Sequence, residues 1–88
     1  MSIEDTFKAI RKACSPNMWS RAVELVRLAA VIGVSSDGDE VLCRVRSQVH
    51  VVPLNVSLYL ADEEWDCNCG SKAPCCEHVA AAIIALRR

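Results

Sequence analysis

An α+β fold is predicted for this chain of 88 residues. It has N-terminal helices, a small three-stranded antiparallel sheet, and a C-terminal cysteine knuckle followed by a helix. Three observations predict it. Apolar residues recur at helical spacing up to Ala30. They alternate on both sides of an Asp37-Gly38 turn signal and beyond it. Helical spacing then returns directly after a cluster of four cysteines in residues 67–76.

The first helix begins at Ser2, whose capping serine precedes Ile3, Glu4 and Asp5; Ile3, Phe7, Ile10 and Cys14 then fall on one face. Ser15-Pro16 is a second start, a capping serine with proline in the first helical position. Trp19, Ala22, Val23, Val26, Ala29 and Ala30 repeat behind it, and a helix over 16–28 is expected.

Beyond Ala30 the residues favour strands. Val31, Ile32 and Val34 lead to Asp37-Gly38, a dipeptide that closes hairpins. Val41, Cys43 and Val45 alternate with Leu42, Arg44 and Arg46, so the first set shares one face of a second strand. A third stretch starts near His50, is interrupted by Pro53, and continues with Val56, Leu58 and Leu60. Residues 61–66 read as an acidic connector carrying Trp65, and a last helix is expected over 77–86, with Val79, Ile83 and Leu86 as its stripe.

One domain, 1–88, fits this length. The net charge of -1 is not that of a protein held to nucleic acid by many phosphate contacts. The chain shows no signal peptide, no apolar run long enough to span a membrane and no nucleotide-binding loop. A cytoplasmic location is the default expectation, and there a cysteine cluster reads as a metal site rather than as disulfides.

The spacing is Cys67-x-Cys69, six residues, then Cys76-x-His78. Three thiolates and an imidazole suit tetrahedral Zn²⁺. Gly70 permits a reversal behind the first pair and Pro74 stiffens the intervening loop. Cys75 neighbours Cys76, and either could face the metal. Cys76 is preferred because Cys76-x-His78 sets both ligands at the start of the last helix, where free N–H groups favour a thiolate. Cys75 is then a spare thiol. Four protein ligands close the coordination sphere, so one structural zinc and no enzyme activity are expected. Cys14 and Cys43, on apolar faces, read as small core residues. Trp19 reads as core, His50 as a surface histidine, and Trp65 as packing or presenting the knuckle.

The segment C-N-C-G-S-K-A-P-C-C-E-H-V-A-A-A-I-I-A-L, residues 67–86, resembles the SWIM-type zinc finger, whose pattern places metal ligands on Cys67, Cys69, Cys76 and His78. The finger portion spans about 65–86. The resemblance implies a zinc module that binds DNA or protein partners. The W-S-R-A-V-E-L segment, the D-G-D-E turn and the strand ending at W-D-C look like the N-terminal region of bacterial Snf-type helicases. That implies an accessory role beside a DNA-handling ATPase, with a protein partner or the remainder of a larger chain in contact, and DNA as a possible ligand. No membrane and no small-molecule substrate is expected. Family members often carry a basic residue where Glu77 stands; a carboxylate there repels phosphate and favours a protein partner. Arg44, Arg46, Lys72, Arg87 and Arg88 are the cations available for a basic patch, read here as a solvated face. A zinc-thiolate redox switch through Cys75 and Cys76, or a stand-alone DNA-binding finger, are the alternatives.

Overall fold

The computed structural model describes residues 3–46, 52–68 and 75–87. Helix α1 is Ile3–Ala13 and α2 is Pro16–Arg27. Strands β1 (Val31–Asp37), β2 (Glu40–Val45), β3 (Leu54–Tyr59) and β4 (Glu64–Cys67) follow, then α3 (Glu77–Arg87). The sheet is antiparallel throughout, in the order β1-β2-β3-β4.

The helix starts and stops have local causes. Ser15 caps α2, its Oγ accepting from the Met18 N–H at 3.2 Å, with Pro16 as the first helical residue. The helix ends in paired reverse hydrogen bonds, Ala30 N–H to Leu25 O and Ala29 N–H to Val26 O, with Ala29 in the left-handed region at φ 57°. The chain is thereby turned into β1. Gly38, at φ 62°, is the first of two residues joining β1 to β2, a backbone that glycine adopts without penalty.

Alternation then decides which face is buried. Val41, Cys43 and Val45 on β2 and Leu54, Val56 and Leu58 on β3 point into the core, while Leu42 and Arg44 face solvent. Among the described residues the sheet has four strands, not three: Glu64–Cys67, whose first three residues fall in the expected acidic connector 61–66, pairs with β3 with Leu58 opposite Trp65 and Val56 opposite Cys67. Glu63, at φ 52°, sits in the turn between them.

Helix α3 is the centre of the molecule. It packs against α1 and α2 on one side and against the sheet on the other. Ala80, Ala81, Ala82 and Ile83 are all fully buried, so the expected single stripe of Val79, Ile83 and Leu86 is only part of its contact surface. Alanine at these positions lets a helix be enclosed on both sides, because short side chains allow close approach.

Two of the cations read as a solvated face, Arg44 and Arg87, lie on different elements of the described structure. Arg44 lies on the solvent face of the sheet, whereas Arg87 turns toward α1, pairing with Glu4 at 2.7 Å and lying over the Phe7 ring. Ser2, His50, Lys72 and Arg88 are outside the described residues.

Candidate metal centre

Cys67 is the last residue of β4, fixed by pairing with Val56. The residue after it is held too: the Asn68 N–H donates to Asn55 O at 3.3 Å, and the Asn55 N–H donates to Asn68 Oδ1 at 2.9 Å. Cys76 stands at the mouth of α3, its carbonyl accepting from the Ala80 N–H at 3.2 Å as the first bond of the helix. His78 follows in the first turn.

These elements bring three donors together. The sulfurs of Cys67 and Cys76 and a ring nitrogen of His78 all lie within 4.8 Å of one another. Tetrahedral zinc with Zn–S bonds near 2.3 Å sets its ligands about 3.8 Å apart, so the donor types suit that ion and their separations exceed that spacing by about 1 Å at most. Cys76 and His78 are buried and Cys67 is half-buried, which keeps water from competing for the ion. The start of α3 adds its free N–H groups and the positive end of its dipole, both of which favour thiolate. Cys69, the fourth expected ligand, is outside the described residues, as are Gly70 and Pro74.

Cys75 has a different partner. It is bonded to Cys14, its Cα 5.2 Å from that of Cys14. Two expectations are corrected here. Cys14 is not merely a small core residue, and Cys75 is not a spare thiol. The cysteine cluster divides into a group of donors and one half of a disulfide. Nothing in local spacing signals this pair, because its halves are 61 residues apart. Cys43 remains a buried core thiol on β2, with its pKa pushed up to about 11 by burial; it lies outside the donor group.

Trp65 is half-buried on β4 and packs against the core. Trp19 is also half-buried and packs against the core, as expected, making an edge-to-face contact with Phe7 at 5.3 Å between ring centroids.

Residues 49–87 match the model of the SWIM zinc finger family. The matched stretch takes in β3, β4, the donor group and α3, and leaves out α1, α2 and the β1–β2 hairpin. The SWIM zinc finger is a small binding module, not a catalytic domain, and the match implies zinc binding. No curated protein and no solved structure matches the chain.

Proposed function

We propose that this chain is a structural-zinc interaction module, with one ion held by Cys67, Cys69, Cys76 and His78 and a protein as its partner. The observation that carries the reading is the convergence of Cys67, Cys76 and His78 within 4.8 Å at the junction of β4 and α3. Zinc there has no redox chemistry, and with four protein ligands it has no open position for water. Its contribution is to hold the end of the sheet against the start of the central helix.

A protein partner is favoured over DNA by charge. Glu77 adjoins Cys76 and His78, and the chain carries a net charge of -1. A role beside a larger DNA-handling ATPase is supported by the likeness of the Trp19–Leu25, Asp37–Glu40 and Trp65–Cys67 segments to the N-terminal region of bacterial Snf-type helicases.

The test is metal content with thiol accounting on the native chain and on Cys76→Ser. One zinc per chain, lost in the variant together with helical signal, supports the reading. An absence of zinc in the native chain overturns it. A gel shift then separates the partner classes: submicromolar DNA binding that weakens with salt removes the protein-only version.

A further inference from the structure

We propose that the groove between α1, α2 and the end of α3 docks an acidic peptide carrying an apolar anchor side chain. The groove, of about 380 Å³, is lined by Phe7, Trp19, Val23 and Ile84, with Arg11 and Arg87 beside them. A second recess shares Arg11 and Trp19 and extends it past Cys14, Ser15 and Pro16. The surface is therefore an elongated furrow with an aromatic floor, of a size that holds one or two side chains. It lies outside the donor group and does not depend on how the metal is held.

The chemistry of the lining selects the occupant. Val23 is exposed, although it is large and apolar. Phe7 and Trp19 are locked edge to face, so they present a rigid surface at little entropic cost. The Arg11 guanidinium lies 5.4 Å from the Trp19 ring centroid and the Arg87 guanidinium 4.5 Å from that of Phe7. Each cation thus lies over an aromatic ring of the floor, and both arginines are exposed, so a carboxylate can reach them. Glu4 already accepts from Arg87 Nε at 2.7 Å, so an internal carboxylate occupies one of these positions. A partner carboxylate adds to Arg11 and shares Arg87. Aromatic and arginine side chains around a small apolar recess are the residue types that carry most binding energy at protein interfaces.

Charge distribution argues against nucleic acid. Two cations flanking an apolar floor do not make the continuous basic track that a phosphate backbone follows. At one end of the sheet, the two turns that close β1–β2 and β3–β4 hold Asp37, Asp39, Glu40, Asp62, Glu63 and Glu64. Those turns repel polyanions.

The experiment titrates the full chain with a labelled peptide, Glu-Asp-Glu-Phe-Leu-Asp-Glu, with its counterpart in which lysines replace the acids, and with oligothymidylate of about ten nucleotides. The acidic peptide is expected to bind, to shift the Trp19 indole resonance, and to weaken as salt rises. Arg11→Glu should reduce its affinity at least about tenfold, and Val23→Glu should do the same by placing a carboxylate in the floor. Both positions are exposed, so the circular dichroism spectrum of each variant should remain that of the native chain. Equal binding of the lysine peptide, oligothymidylate bound in place of the peptide, insensitivity to Arg11→Glu, or self-association that buries Trp19 would each overturn the proposal.

Discussion

Cys14 and Cys75 are covalently joined across a sequence separation of 61 residues, tying the end of α1 to the residue before Cys76. The bond links the end of a helix outside the matched family region to the residue next to one of the donors. Closing a loop of this length restricts the unfolded chain by up to about 4 kcal/mol in the chain-entropy account. Cys14→Ser should lower the free energy of unfolding toward that extent in denaturant titrations without reductant, and the native chain with reductant should fall to the same level. Zinc content should stay unchanged in the variant, because Cys14 is not among the gathered donors.

Ala29 holds a left-handed backbone, φ 57°, at the residue that terminates α2. The Cβ of an L-residue makes this conformation costly by about 1–2 kcal/mol, and glycine relieves it at some cost in unfolded-state entropy. Ala29→Gly should therefore stabilise the chain by about 0.5–1 kcal/mol. The check is an increased midpoint of denaturation with an unchanged slope.

Cys43 supplies a pH dependence whose direction follows from burial alone. Its thiol ordinarily ionises near 9.0 and, buried in the folded chain, only near about 11. Well below pH 9.0 it is protonated in both states and has no effect. Between these values the unfolded chain loses the proton and the folded chain keeps it, so stability falls as pH rises, by roughly 1.4 kcal/mol per unit at most. Cys43→Ala should flatten that portion of the stability–pH curve relative to the native chain, whatever its cost at neutral pH.

Much of this architecture is legible in the residues. Ser15-Pro16 and Asp37-Gly38 mark boundaries by local chemistry, and the alternation Val41, Cys43, Val45 assigns a buried face without any tertiary knowledge. Strand β4 is not legible from alternation or propensity, only from the resemblance that places a strand ending at W-D-C, because Glu-Trp-Asp-Cys is four residues long and half acidic; it is a strand through its pairing with Ser57, Leu58 and their neighbours. The enclosure of α3 is only partly legible, since an alanine run is compatible with a one-sided helix until α1 and α2 are seen on its other side. At the candidate site, the clustering of cysteines at 67–76 announces metal chemistry. The diversion of Cys75 to Cys14 is a long-range fact that no spacing rule contains.

Asn68 gives the last prediction. It is not a proposed ligand, yet it fastens the residue next to Cys67: its side-chain Oδ1 accepts from the Asn55 N–H at 2.9 Å while its own N–H donates to Asn55 O at 3.3 Å. The first of these bonds depends on the side chain and the second does not. Asn68→Ala should keep β3–β4 pairing but leave Cys67 less firmly oriented toward Cys76 and His78, so that metal binding must itself order the segment. Supporting hydrogen bonds around metal ligands are typically worth about 10–100-fold in affinity. Competition against a chromogenic chelator should show zinc held about tenfold more weakly in Asn68→Ala, with far-UV dichroism of the zinc-saturated variant unchanged. Asn68→Asp, which retains the acceptor, should recover most of the loss. Equal affinity in all three proteins would mean that β4 alone orients Cys67.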